Sequence, residues 1–505
     1  ILSEESEGYS KFLFAVLHSQ DHVKSLIGIF SLDPNRCVDL LVDVVEYELR
    51  SVDTLESTPR LDYLKRTLGE LNTTKLPQLL GFKLRDTTAP LKAMTWLVVN
   101  QIITVSAVLP YLPDDSHMFA KLLHDLYQTR VQQDQKRLQS LGRVHLSSTL
   151  ETDQVAEEGI DFKPLQDLLL TKWIFCFLEL DCFESVQTLG VDWSAFVVLF
   201  PKAGVAILDW VAQKIPSSSP WNEIMNVDVD LSAIADTLEL VRESGCIRER
   251  PDLYCKLCRL LQRSSDPNSA SIDFLKSFLV PSLSAMEVNP SLCLELWAVM
   301  KDLPYQVRYS IYDAWKNDDS LWLKQAQLEV TKDAKYSLKR LSKDTIRDIS
   351  RAIAKCCHRH PLIVFTTILG QIESYDNLVQ VMVDACRFVT PLGLDVLGYC
   401  ILQRLTAAHR DRLKENGVNV SQWLQSLEAF VGAFYKRFYY IEFQGLVKYL
   451  LGRLQEGQVM ELGILKNLVK TAGGWSFADY GSVASLSSSQ LEGRAGSTLL
   501  QRETM

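Results

Sequence analysis

Residues His360 to Cys400 read HPLIVFTTILGQIESYDNLVQVMVDACRFVTPLGLDVLGYC. Pro361 is a favoured first residue of a helix, because its missing N–H would be unpaired there anyway. Behind it, Leu362, Phe365, Leu369 and Ile372 recur at helical spacing and fall on one face. After Asp376-Asn377 the pattern restarts with Leu378, Val381, Met382, Ala385 and Val389, then again with Leu394, Leu397, Ile401 and Leu405. Short breaks at Tyr375–Asn377 and Thr390–Gly393 separate the stripes, so consecutive helices turn back on one another.

The same rhythm continues downstream. Trp423, Leu424, Leu427, Val431 and Phe434 form a further stripe. Leu446, Val447, Leu450, Leu451 and Leu454 form the next, and Leu462, Leu465, Leu468 and Val469 the last. Helix pairs that each keep a second apolar face must stack on further pairs, which gives an all-α solenoid of antiparallel helix pairs, HEAT-like but without a strict repeat. Upstream the chain is helical but more interrupted. Residues 18–49 hold an acidic amphipathic unit, and 60–110 two or three helices. KIPSSSPWN at 214–222 reads as a break. This divides the chain into an N-terminal helical segment (1–113), a polar, loop-rich insertion (114–165), a central solenoid (166–335), a helical repeat domain (336–480) and a polar tail (481–505). From Ala93 to Pro113 no charge occurs, but Asn100, Gln101, Thr104 and Ser106 sit at its centre, so a buried core helix is expected rather than a membrane span.

Composition narrows the function. A net charge of −9 argues against gripping duplex nucleic acid through the overall field. The eleven cysteines are odd in number and scattered through apolar runs, the usage of a reducing compartment. The chain opens on Ile1 without a basic, signal-like start and reads as a fragment. Charge is unevenly spread: residues 1–60 carry eleven acids against five bases, whereas 321–360 carry ten bases against four acids. Lys335, Lys339, Arg340, Lys343, Arg347, Arg351 and Lys355 lie mostly three or four apart, so a helix there would show a basic stripe, the candidate surface for a partner or RNA.

Chemistry is scarce. Cys255 and Cys258 have the spacing of half a zinc site but no second pair, and Leu253, Leu257 and Leu260 around them point to core packing. Cys356, Cys357, His358 and His360 are dense in potential ligands, yet neighbours on a helix point apart, and the histidines suit a helix C-terminus before Pro361. No GxSxG elbow, Walker-type lysine loop, HExxH or strand-borne GxGxxG occurs, and the eight histidines form no acid–base set. No catalysis, cofactor, metal or small-molecule substrate is expected. Trp297, Tyr305, Tyr309, Tyr312 and Trp315 beside Arg308 and Lys316 could stack single-stranded nucleic acid, but large aromatics at this spacing are more often core.

Several long strings, in this order, resemble the THO complex subunit 2 family: SLDPNRCVDLLVDVVE (Ser31–Glu46), FLVPSLSAM (Phe278–Met286), LPYQVRYSIYDAWKN (Leu303–Asn317), YSLKRLSKD (Tyr336–Asp344), HPLIVFTTILGQIESYDNL (His360–Leu378), LDVLGYCI (Leu394–Ile401) and SQWLQSLEAFVGAFYKRF (Ser421–Phe438). The likeness is dense from about residue 278 to the end and thin across 114–270. It implies a nuclear, non-enzymatic α-helical scaffold that holds the other THO complex subunits. It further implies engagement of a nuclear DEAD-box RNA helicase in mRNA packaging and export, and contact with mRNA. The part from about Leu338 onward is similar to the middle domain of initiation factor four G, a type that stimulates DEAD-box ATPases. The family continues beyond the end of this chain with further helices and a basic tail. A direct RNA-binding solenoid and a transport-type or initiation-type helical-repeat adaptor in the cytoplasm are the competing readings.

Overall fold

Prolines open several of the helices that carry the fold, because a fixed φ near −65° suits the first turn. Pro34, Pro201, Pro251, Pro290, Pro361 and Pro391 each occupy a first helical position. The computed structural model describes residues 2–18, 23–50, 59–71, 75–86, 91–112, 116–144, 160–187, 189–215, 231–263, 269–342, 345–374, 378–407, 411–414 and 420–473. Among them there is no strand, only one isolated antiparallel bridge between Leu413 and Val420. The all-α solenoid expected from the stripes is the fold found.

Two compact units divide the chain. The first comprises Ile1–Arg137, Thr152–Asp230 and Asp236–Cys246. Its core includes a buried aromatic cluster: Phe183 meets Trp193 edge-on at 5.1 Å, and Phe196 lies 4.9 Å from Phe200. The charge-free stretch after Ala93 is not one helix. Leu91–Val99 ends at Asn100, whose amide donates back to the Trp96 carbonyl at 2.9 Å, and Gln101 turns the chain with φ of 60°. Ala93, Met94, Trp96 and Leu97 are buried. Among the described residues no single helix is long and apolar enough to cross a membrane. The bent pair Trp193–Leu199 and Pro201–Lys214 reaches that length and composition together, with 117° between its members.

The stretch 114–165, expected to be loop-rich, is corrected over much of its length. Ser116–Val144 forms one 29-residue helix. Lysine, arginine, glutamine and leucine are strong helix formers, and Arg130 pairs with Asp134 one turn on at 3.1 Å. Low hydrophobicity there marks a largely solvated helix anchored by buried Phe119 and Leu123, not a loop. Likewise the described residues of 60–110 hold four α-helices rather than two or three: Pro59–Leu71, Leu76–Asp86, Leu91–Val99 and Val105–Val108. The KIPSSSPWN break from Pro216 onward and the tail 481–505 lie outside the described residues.

The second unit comprises Leu138–Glu151, Leu231–Ala235 and Ile247–Met505. Its helices used below are α1 (Pro251–Arg263), α2 (Pro290–Met300), α3 (Tyr305–Lys316), α4 (Leu321–Lys339), α5 (Ile346–Arg359), α6 (Pro361–Ser374), α7 (Val379–Ala385), α8 (Pro391–Thr406), α9 (Gln422–Arg437), α10 (Gln444–Gln455) and α11 (Leu462–Gly473). From α4 onward each packs on near neighbours in the chain: α4 on α5 and α6, α6 on α8 and α9, α7 on α9, α8 on α10, and α9 on α11. That is the nearest-neighbour stacking of a solenoid. The stripe of α6 faces inward as expected, with Leu362, Phe365, Leu369 and Ile372 all buried. Fully burying such a side chain contributes about 1.5–3 kcal/mol. The phase slips at the last two stripes. Leu451, Leu454 and Leu465 are exposed, whereas Ile464 of α11 is fully buried.

Candidate partner-binding surface

The basic segment occupies two helices rather than one. α4 ends at Lys339, with Arg340 as its C-terminal cap, and α5 starts at Ile346. The single stripe anticipated from the spacing is therefore split by a turn. On α4, Lys335 and Lys339 stand one turn apart, and on α5, Arg347, Arg351 and Lys355 do the same; with Arg340 all are exposed. Lys343 lies outside the described residues. The opposite faces explain the outward direction: Ala334 and Leu338 of α4 and Ile353, Ala354 and Cys357 of α5 are buried in the stack.

The turn is held by its own side chains. The Thr345 hydroxyl donates to the Arg340 carbonyl at 2.8 Å, which leaves its oxygen to accept from the Ser342 N–H at 3.1 Å and from the Ser342 hydroxyl at 2.9 Å. In return the Thr345 N–H donates to Ser342 Oγ at 3.3 Å. This reciprocal exchange sits at the entry to α5, where N–H groups lack partners inside the helix.

Aromatic rings lie among the cations. The Arg340 guanidinium lies 4.9 Å from the Tyr336 ring centre and donates from Nη1 to the Tyr336 hydroxyl at 2.7 Å. Phe388, in the short helical turn after α7, is approached by Arg387 at 4.9 Å and by Arg351 at 5.9 Å. Tyr336 and Phe388 are 60% and 43% exposed, so their rings remain open to a ligand. Spacing along the sequence does not single out Tyr336, Arg387 or Phe388. Phe388 reads there as one more apolar residue near the end of a stripe, and only the turn after α7 places it outside. Asp348 offsets the positive charge through a 3.7 Å contact with Arg351. Cations and aromatic faces of this kind are suited to phosphate or carboxylate groups.

Much of the aromatic cluster and of the cysteine and histidine groups is interior instead, while Trp297, Tyr305, Tyr309 and Cys255 are half-buried. Trp315 and Tyr312 are fully buried, and Trp315 Nε1 donates to Ser284 Oγ at 3.2 Å, so this part of the aromatic cluster is core. Arg308, whose guanidinium lies 5.6 Å from the Trp297 ring centre, is buried as well. It clasps Asp395 of α8 and reaches Glu442 at 2.6 Å. Cys258 is buried on α1, with burial pushing its thiol well above the usual range, and Leu261 rather than Leu260 packs inward beside it. Cys357 and His360 are buried and Cys356 is half-buried. Burial lowers His360 to about 3, and its ring stacks on Trp315 at 4.7 Å. Among the described residues no group of three or more potential metal ligands converges.

Two family models match this chain over residues that include the surface. One, described as THO complex subunit 2 N-terminus, covers residues 230–351, and the other, described as Transcription- and export-related complex subunit, covers 353–428. Their border falls within α5, between Arg351 and Lys355. Among curated proteins, THO complex subunit 2 of Arabidopsis thaliana is 28% identical over 99% of this chain and 31% of its own length. That of Homo sapiens is 28% identical over 100% of this chain and 34% of its own. That of Saccharomyces cerevisiae is 29% identical over 53% of this chain and 17% of its own. The chain thus spans about a third of the length of the first two relatives.

Proposed function

The chain belongs to the THO complex subunit 2 family, and from that premise we propose that it is a non-enzymatic scaffold of the THO complex in the nucleus. Its stacked helices would hold other THO subunits. Its second unit would engage a DEAD-box RNA helicase and so couple transcription to mRNA packaging and export. The observation that carries this reading is the exposed basic and aromatic surface of α4, the turn and α5, set on a helix stack whose opposite faces are buried. The likeness from about Leu338 onward to the middle domain of initiation factor four G supports the helicase as partner. A domain of that type acts on ATP hydrolysis in trans by holding the two helicase lobes in a productive relation, with no active site of its own.

Co-purification tests it. The chain, immobilised and incubated with nuclear extract, is expected to retain THO subunits and a nuclear DEAD-box helicase; retention of neither would remove the proposal. A second reading, direct RNA binding by the same surface, draws on the guanidinium–ring pairs at Arg340–Tyr336 and Arg351–Phe388. Such pairs are suited to stacked, unpaired bases.

A further inference from the structure

We propose that Ser342 is a phosphoacceptor for a basophilic serine/threonine protein kinase, and that its phosphorylation weakens the hold of the α4–α5 surface on an anionic partner. The second half rests on the reading of that surface given above; the first does not.

The sequence contains four adjacent pairs of Lys or Arg: Lys65-Arg66, Lys136-Arg137, Lys339-Arg340 and Lys436-Arg437. Three of them are followed, two residues past the pair, by Leu68, Gln139 and Tyr439. Only Lys339-Arg340 is followed at that spacing by an aliphatic hydroxyl, that of Ser342. Two cations just upstream of an acceptor hydroxyl are what an acidic substrate groove selects, by charge complementarity.

Position agrees with pattern. Ser342 is exposed and lies between α4 and α5, outside either helical hydrogen-bond ladder, where a kinase can draw the chain into an extended form. The neighbouring serines on the two helices, Ser337 and Ser350, are buried. What holds Ser342 is local: its exchange of hydrogen bonds with Thr345, three residues on.

The transfer balances without any further reactant than ATP. Ser342 Oγ attacks the γ-phosphorus, the bond from that phosphorus to the bridging oxygen breaks, and ADP leaves. The hydroxyl proton passes to the catalytic carboxylate of the kinase. The product places a charge of about −1.5 to −2 at the entry to α5. The helix dipole favours an anion there, and the Thr345 N–H already points at Ser342 Oγ. Arg347, in the first turn of α5, is exposed and near in sequence. Against the six described cations of the surface, one phosphate offsets about two charges.

The experiment incubates the whole purified chain with ATP and the catalytic subunit of a cyclic-nucleotide-dependent, basophilic kinase, and maps the product by peptide mass spectrometry. One phosphoryl group at Ser342 is expected, absent in Ser342→Ala and several-fold slower in Arg340→Ala, which keeps the acceptor. Modification confined to other residues, or equal incorporation by wild type and Ser342→Ala, overturns the acceptor assignment. A labelled oligouridylate then probes the surface. Phosphorylated chain is expected to bind it several-fold more weakly than unmodified chain at low salt. Equal binding by both overturns the switch. No binding by either removes the switch and the RNA reading, while co-purification with helicase and THO subunits judges the scaffold reading by itself.

Discussion

Arg308 of α3 and Asp395 of α8, 87 positions apart in sequence, form a two-pronged ion pair inside the second unit. Nε meets Oδ2 at 2.9 Å and Nη2 meets Oδ1 at 3.1 Å, with the side chains 3% and 2% exposed. Tyr312 donates its hydroxyl to the same Oδ2 at 2.7 Å, and Arg308 Nη1 donates to the Leu303 carbonyl at 2.6 Å. Burial raises the Asp395 carboxyl, and Arg308 and Tyr312 pull it back only in part. The pair thus fixes which helices meet, at a desolvation cost that its hydrogen bonds offset.

Removing one partner strands the other. Arg308→Ala is expected to destabilise the second unit by about 3–5 kcal/mol, whereas Arg308→Met with Asp395→Leu should recover most of the loss. Urea denaturation of both variants beside wild type measures this. A double variant as unstable as the single one would mean that the pair contributes through its own attraction rather than through satisfied burial.

His360 supplies a pH-dependent prediction. Its ring is fully buried against Trp315, and both nitrogens are without a hydrogen-bond partner among the described residues. Burial lowers its pKa from 6.5 to about 3. The unfolded chain therefore binds a proton in that window that the folded chain refuses, so stability is full above the unfolded value and lost as pH falls toward the folded one. His360→Phe keeps an aromatic ring on Trp315 and has no such proton. It should match or exceed wild-type stability at neutral pH and lose less between about pH 6.5 and about pH 4. Chemical denaturation midpoints at both pH values decide it.

His360 also shows where sequence reading stops. Periodicity locates α6 and α8 because their stripes repeat on one face, but α8 is buried well beyond its stripe, from Leu392 through Asp395 to Ile401, which repetition does not reveal. The same logic sets His360 at a helix C-terminus as a favoured cation, yet burial, against Trp315 from a helix 45 positions earlier, keeps it neutral. Arg308 stands in sequence only as a cation beside aromatics, because nothing local reveals Asp395. The exposed cations on α4 and α5 are legible, since a charged residue at the polar phase of a helix faces water. Tyr336, Phe388 and the turn at Ser342 are not, because they depend on where one helix ends and how the next one returns.

Two glycines should respond in opposite directions to the same substitution. A Cβ on Gly432 of α9 would stand 2.8 Å from Thr471 Oγ1 and 3.1 Å from the Asn467 carbonyl oxygen of α11, so Gly432→Ala has to push α11 away. It is expected to cost about 1–3 kcal/mol. A Cβ on Gly452 of α10 meets nothing within 4 Å, so Gly452→Ala should stabilise by about 0.5–1 kcal/mol through helix propensity. Thermal denaturation of the two variants, followed by helical circular dichroism, tests the sign of each.

The surface itself is best tested by reversing its charge where the fold has least to lose. Lys339, Arg340, Arg347 and Arg351 are exposed, and among the described residues their one ion pair is the surface contact of Arg351 with Asp348. Exposed pairs of this kind are worth about 0–1 kcal/mol, so changing all four to Glu should leave the helical melting profile close to that of wild type. Binding should change far more. If the surface engages an anionic partner, each lost phosphate contact lowers the slope of log affinity against log salt by about 0.9 for a duplex and about 0.7 for a single strand. The variant is thus expected to lose oligouridylate binding at low salt and to flatten what salt dependence remains. Helicase retention separates the two uses of the surface. Loss of helicase with RNA binding intact would make it a protein-docking face, and loss of RNA binding with helicase retained would make it a track for the transcript. A variant that keeps both, with its fold intact, would move the partner site away from α4 and α5 altogether.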